Sequence, residues 1–186
     1  MKSIATILFG LIISLSVNAQ SINVENSSVN FSADYLGFGS VEGAFDSFNG
    51  FVQMDKSNLN QSSINFTINA NSVNTKSKRR TRFLKGESFF NTDQFQTIEF
   101  ISDDIFVKNG KYSVAGNLNI KGIISRVEIP FQVIEENGTH VLKGDLTVNR
   151  FDFDLGSQYK EWVIGKEVKI DINCVVNSGV MQYANA

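Results

Sequence analysis

The amino-acid sequence predicts an all-β protein whose long antiparallel strands each turn one oily face toward a single core. Three observations carry this. Apolar and polar residues alternate with period two along most of the chain, turn residues punctuate the alternating runs, and one segment alone departs from the pattern. A length of 186 residues, with 42% hydrophobic and 19% charged, suits one folded domain rather than two or a disordered chain.

The chain opens on a short basic start, Met1-Lys2-Ser3. The apolar run from Ile4 to Val17 is too short and wrongly flanked for a membrane span, and Val17-Asn18-Ala19 sets small residues before Gln20. Residues 1–19 are therefore expected to be a secretion signal cut near Ala19-Gln20. Residues 20–186 are expected to be one exported domain, periplasmic or extracellular. Cleavage removes Lys2 and no acid, so the remainder is more acidic than the full chain, whose formal charge is −2. A net-acidic protein lacks the global attraction that nucleic-acid binders use, so nucleic acid is not an expected partner. One Cys and one His exclude an intramolecular disulfide and a His/Cys metal cluster, and no cofactor is expected.

Eight strands follow, over residues 22–35, 40–55, 59–72, 97–108, 111–121, 125–136, 139–150 and 166–177. Ile64, Phe66 and Ile68 alternate with Asn65, Thr67 and Asn69; Val168, Ile170, Ile172, Cys174 and Val176 alternate with polar residues in the last strand. Cys174 thus reads as a small core hydrophobe rather than a nucleophile. Gly37, Gly39 and Gly43 break the first long strand region and suggest a bend or bulge. Asn109-Gly110 and Asn137-Gly138 are hairpin signals, because both residue types tolerate positive φ. Long twisted strands with one oily face either close into a barrel or pair as a sandwich.

The exception runs from Thr75 to Phe90. It lacks alternation, and a short helix is expected over residues 76–84, ended by Gly86, with Phe89 and Phe90 in the turn beyond. Lys76, Lys78, Arg79, Arg80, Arg82 and Lys85 form a basic cluster on an otherwise acidic chain. It reads either as a solvated helix face or as an attraction for an anionic lipid head or membrane surface.

Volume decides what a barrel would hold. Eight strands enclose a space that side chains fill or that admits one small ligand. Ala33, Gly37, Gly39 and Gly43 in the first strands could leave an apolar slot, suited to a hydrophobic or amphipathic molecule. Burying about 500 Å² of ligand hydrocarbon at about 25 cal/mol per Å² yields roughly 12 kcal/mol before ordering costs. The alternative is a structural or partner-binding barrel with a filled core.

Several segments together resemble the YceI-like proteins, a family of lipocalin-like polyisoprenoid-binding proteins. Phe31-Ser-Ala-Asp-Tyr-Leu-Gly37 is similar to the family's F-x-x-x-H-L-G, and Gly43-Ala-Phe45 with Phe48-Asn-Gly50 to G-x-F-x-x-F-x-G. Asn71-Ser-Val-Asn-Thr75 resembles S-[VI]-x-T. Arg80-Thr-Arg-Phe-Leu-Lys-Gly-Glu-Ser-Phe-Phe-Asn91 resembles R-D-x-H-L-[RK]-[SG]-x-x-F-F, and Val114-Ala-Gly-Asn-Leu-Asn-Ile-Lys-Gly122 resembles V-x-G-x-L-x-[IL]-x-G. Asn149-Arg-Phe-Asp-Phe153 and Val168-Lys-Ile170 complete the ordered set.

The resemblance implies an eight-stranded antiparallel lipocalin-like barrel with a short helical insertion between strands three and four. It also implies a non-enzymatic protein that carries or sequesters an isoprenoid chain in the barrel. Thr81, Phe83 and Tyr35 stand where the family usually has Asp, His and His, so the mouth should be oilier. Residues expected along the ligand tail are Phe31, Ala33, Tyr35, Phe38, Phe45, Phe66, Ile68, Phe83, Leu84, Phe89, Phe90 and Phe100. Those expected at its head group are Arg79, Arg80 and Arg82. The expected partner is a polyisoprenoid or other amphipathic lipid, with transient membrane-surface contact and a homodimer compatible with that role.

The remaining residues give weaker signals. His140 follows the Asn137-Gly138 turn and is expected to face solvent; as a general base it would need a nucleophile, and the sequence has no nucleophile-elbow motif. Asp152 and Asp154 stand two apart, a spacing that calcium or glycoside chemistry can use but that is common by chance. Trp162 and Tyr159 form an aromatic pair in the Gly156–Gly165 loop, to touch lipid or anchor the loop.

Overall fold

Tight turns and alternation set the strands. The computed structural model describes residues 20–136, 139–177 and 181–182; the expected signal at residues 1–19, the Asn137-Gly138 turn and the last four residues lie outside these. Among the described residues twelve strands form one antiparallel sheet, apart from one short parallel pairing. In chain order they are β1 (Gln20–Ser21), β2 (Ser28–Tyr35), β3 (Gly39–Phe45), β4 (Phe48–Asp55), β5 (Ser63–Asn69), β6 (Val73–Asn74), β7 (Thr97–Lys108), β8 (Lys111–Ile120), β9 (Ile123–Glu136), β10 (Thr139–Asn149), β11 (Ile164–Asn177) and β12 (Met181–Gln182). The one α-helix among the described residues, α1 (Lys78–Lys85), lies between β6 and β7.

Only Asp46 and Ser47 separate β3 from β4, so the two are halves of one long strand with a corner in it. The upper half pairs with β2, from Asn30↔Ala44 to Tyr35↔Gly39, and the lower half pairs with β5, from Phe48↔Ile68 to Gln53↔Ser63. The remaining order is β5-β7-β8-β9-β10-β11-β2. Counting the cornered pair once gives eight long strands wrapped around one interior, the expected lipocalin-like barrel with its helix between the third and fourth.

The first turn differs from expectation. Gly37 and Gly39 do not bend a strand; Leu36 (φ 53°) and Gly37 (φ 74°) form a reversing turn that separates β2 from β3. Asn109 (φ 52°) and Gly110 (φ 74°) make the hairpin their types predict. The β7–β8 ladder slips between Ser102 and Asp104, a bulge that lets Ile101 crowd its neighbour. Gly116 permits this, since a Cβ there would stand 2.3 Å from the Ile101 carbonyl oxygen.

The helix starts at Ser77, whose hydroxyl accepts from the Arg80 N–H, and ends at Gly86, whose N–H donates to the Phe83 carbonyl. Thr81 Oγ1 accepts the Thr75 N–H at 3.1 Å and lies 3.1 Å from the Thr75 hydroxyl, which ties the helix to the end of β6. Thr81 thus serves as a local staple.

His140 corrects the expectation of a solvent-facing side chain. It is 3% exposed, with Nε2 3.9 Å from Glu135. Its parity explains this: His140 shares the inward face of β10 with Leu142, Leu146 and Val148.

Candidate ligand-binding cavity

The inward faces of the strands enclose a cavity of about 790 Å³. It occupies the end of the barrel where α1, the β2–β3 turn and the β10–β11 connection gather. At the far end the interior is solid: Val52, Met54 and Val176 are all but inaccessible.

Alternation positions the wall. Val29, Phe31, Ala33 and Tyr35 of β2 face the cavity, as do Ile64, Phe66 and Ile68 of β5, Ile98 and Phe100 of β7, and Val168, Ile170, Ile172 and Cys174 of β11. Phe31, Phe66, Ile68, Val168, Ile170 and Ile172 point inward yet remain only partly buried. An inward apolar side chain with accessible surface is the mark of an unfilled interior. The slot does not come from the glycines expected to make it. Gly37 belongs to the turn, Gly39 opens β3 away from the lining, and the space over Gly43 is taken by the Phe31 ring, which a Cβ there would meet at 2.3 Å. Ala33 does line the cavity, as does Gly144, which the sequence reading passed over.

Aromatic rings make the roof. Phe45 stands between Phe31 (5.6 Å between centroids) and Phe90 (5.5 Å), while Phe83 packs on Phe89 (4.9 Å) and Tyr159 (5.5 Å). Gly156 has φ 61°, and a Cβ there would come within 2.5 Å of the Phe89 ring, so this glycine gives Phe89 its seat. Tyr159 is therefore a roof residue and Trp162, exposed to solvent, is not its partner.

Arg79, Arg80 and Arg82 border the same space. Arg80 donates one guanidinium N–H to the Thr75 carbonyl at 3.0 Å, and its buried Nε has no partner among the described residues. Residues that both line the cavity and meet solvent mark its opening: Tyr35 on one side, Arg79, Arg82 and Phe83 on the other.

Of the fifteen residues expected around a ligand, fourteen stand on this wall or its mouth. Phe38 does not: it projects from the β2–β3 turn and is 95% exposed. Turn residues leave the two-face rule of a strand, so adjacency to Tyr35 in sequence did not place it on the wall.

Arg150 is a charged wall residue that sequence reasoning missed. It is 1% exposed, and its five N–H groups donate to five carbonyls, those of Leu155, Gly156, Tyr159, Ile164 and Gly165. Its guanidinium also lies 4.0 Å over the Phe151 ring. Burial pushes its pKa down and the charge of Glu161 opposes that. The signal was an Arg directly after an alternating strand, in Asn149-Arg-Phe-Asp-Phe153, where an exposed loop would be expected. With every donor committed to backbone, Arg150 holds the β10–β11 connection and offers the cavity a positive field rather than a hydrogen bond.

Chemically the wall is oily and quiet. Burial pushes the Cys174 thiol up to about 12, so it stays protonated. Among the described residues the lining carries no carboxylate and no imidazole. Asp154 instead accepts from Ser157 at 2.6 Å and from Lys121 at 3.0 Å, which together lower its pKa, and Asp152 is exposed in the turn after β10.

Known proteins share this architecture. The sequence profile of the YceI-like domain matches residues 20–176. A UPF0312 protein of Shewanella denitrificans is 28% identical over 131 residues, 68% of this chain and 69% of the relative. One from Yersinia pestis is 31% identical over 105 residues, 56% of this chain and 55% of the relative. Among solved structures, Burkholderia cenocepacia BcnA superposes with a TM-score of 0.78 at 27% identity, covering 84% of this chain and 99% of its own. A polyisoprenoid binding domain from Saccharophagus degradans superposes at 0.67 with 16% identity, covering 84% and 97%, a likeness of fold.

Proposed function

The chain belongs to the YceI-like family, and from that premise and its hollow interior we propose that it is a non-catalytic binding protein enclosing the tail of a polyisoprenoid or similar long-chain amphiphile. One observation carries the reading: alternation drives six apolar side chains inward, and they stop at the edge of an open volume of about 790 Å³ instead of meeting each other. A cavity of this size lies within the range of small-molecule sites, and an apolar wall selects hydrocarbon. The Saccharophagus degradans neighbour is described as polyisoprenoid binding, which supports an isoprenoid as the guest.

The tail lies along Phe31, Phe66, Ile68 and Ile170. The head group stays at the mouth near Arg79, Arg80 and Arg82, where the free Nε–H of Arg80 suits an acceptor oxygen. Export of residues 20–186 puts the protein where such a molecule needs shielding from water, as cargo to be carried or withheld. A filled-core barrel fits poorly with the volume, and a hydrolase using His140 or Asp152 fits poorly with their positions away from the wall.

The test is native mass spectrometry of protein purified without detergent, followed by lipid extraction and loading with a series of polyprenols and quinones. The expected result is one long-chain amphiphile per chain. Masses that stay empty after every loading attempt would overturn the reading.

A further inference from the structure

The rim beside the mouth carries side chains that an enclosed tail does not use. Phe38 is 95% exposed and Trp162, the chain's single tryptophan, is 68% exposed. Their two loops are joined, since the Leu36 N–H donates to the Val163 carbonyl at 3.0 Å and Tyr35 pairs with Ile164. Tyr35, Leu36, Phe38 and Trp162 thus share one edge of the opening. On the other edge stands α1, with Phe83, Arg79 and Arg82 all exposed.

The charge of this rim is one-sided. Lys76, Lys78, Arg79, Arg80, Arg82 and Lys85 follow one another with no acid among them, and among the described residues none of the six forms an ion pair. Helix chemistry does not ask for this placement: Lys78, Arg79 and Arg80 occupy the first turn, where the macrodipole favours acids. Asp34 and Glu161, the acids next to Tyr35 and Trp162, are outnumbered. Exposed aromatic rings flanked by unpaired cations match the interface of an anionic bilayer, where rings settle at headgroup level and cations meet phosphates.

We propose that this rim docks the protein on an anionic lipid bilayer. Phe38 and Trp162 enter the headgroup layer, Lys76, Lys78 and Lys85 face the phosphates, and the mouth opens onto the membrane. The docking stands on the rim itself; only its purpose, as the source of the guest, rests on the amphiphile reading above.

The full chain is expressed, its N-terminus read by mass spectrometry, and each variant is compared with a parent of the same N-terminus. Vesicles of phosphatidylcholine, with or without phosphatidylglycerol, are titrated in while Trp162 emission and sedimentation are followed. The expected result is a blue shift and co-sedimentation with anionic vesicles, about tenfold weaker on neutral ones and lost in high salt. Phe38→Ser and Lys78→Glu should each lower partitioning about tenfold. Neither residue lines the cavity, so both variants should take up an apolar fluorescent fatty acid in vesicle-free buffer as the parent does. A parent that takes up no such probe but docks would sink the cavity reading and leave the docking standing. The docking is overturned if the parent stays in the supernatant, or if both variants bind like the parent. It is also overturned if Trp162 shifts without sedimentation, which would mean lipid extraction. Vesicle-free self-association that Phe38→Ser abolishes would assign the rim to a second copy and overturn it equally.

Discussion

Two walls of the same barrel alternate alike and end differently. On the β7–β10 wall every inward residue that borders the cavity is buried, among them Ile98, Phe100, Leu118, Ile120, Leu146 and Val148. On the wall made by β11, β2 and β5, the deep residues Cys174, Val29 and Ile64 are buried, but those toward the mouth, Ile170, Phe31 and Phe66, are not. The difference is what lies above. The turn after β10 rests against β9, β10 and β11 and brings Phe153 and Leu155 down as buried cover. Lys121 grips that turn from the β8–β9 end through Asp154, and the Gly156 N–H donates to the Ser88 carbonyl. Periodicity decides which way a side chain points; a connection elsewhere in the chain decides whether it then finds a neighbour.

The largest effect should come from removing the anchor of that cover. Arg150→Met leaves five carbonyls, two buried and three half-buried, without their donor, at about 1 kcal/mol each where water cannot replace it, so a loss of about 4 kcal/mol is expected in urea unfolding. A loss below about 1 kcal/mol would mean that the cover holds without it, and the contrast between walls would need another cause.

Truncation on each wall measures the contrast directly. Leu118→Ala removes a buried side chain and should cost about 3 kcal/mol, whereas Ile170→Ala, already facing open volume, should cost about 1 kcal/mol. Equal costs in parallel denaturation curves would show the two walls to be packed alike. The reverse change sharpens the point: Ile170→Phe should shift stability by under about 1 kcal/mol because there is room, yet lower amphiphile capacity about tenfold in a loading titration.

The smallest effect lies on the outer seam between the walls, where Asp145 of β10 faces Asp171 of β11. Burial, then the hydrogen bond and charge of Asp171, raise the Asp145 pKa above 3.8, with Lys111 opposing. A carboxyl whose folded pKa is raised favours the folded state when protonated, so this contribution falls as pH climbs from 3.8 through the folded value. Asp171→Asn should therefore stabilise slightly at pH 7, within about 0.5 kcal/mol, and not at pH 3. Urea midpoints at the two pH values check the sign.

Much of this was legible in the residues. Strict alternation gave the last strand its inward set from Val168 to Val176, because a sheet with one buried face admits only one register. The same rule, applied to His140, would have turned it inward. The corner at Asp46-Ser47 was not read, although the inward parity switches there, from odd positions on β3 to even positions on β4. Nor was the role of Arg150, because its five acceptors are backbone atoms and leave no trace in side-chain identity. Phe38 was misplaced for a related reason: a turn obeys the geometry of its positive φ residues and not the parity of the strand before it.

The corner between β3 and β4 also bears on how the molecule behaves when vacant. A strand that changes partner midway leaves each half with one bare row of amides, the kind of edge on which stray chains template aggregates. Here β6 takes up the row beside β3, and β1 and β12 take up the row beside β4. Three two-residue scraps of chain thus act as selvedges, so the container can wait unfilled without knitting itself to its neighbours.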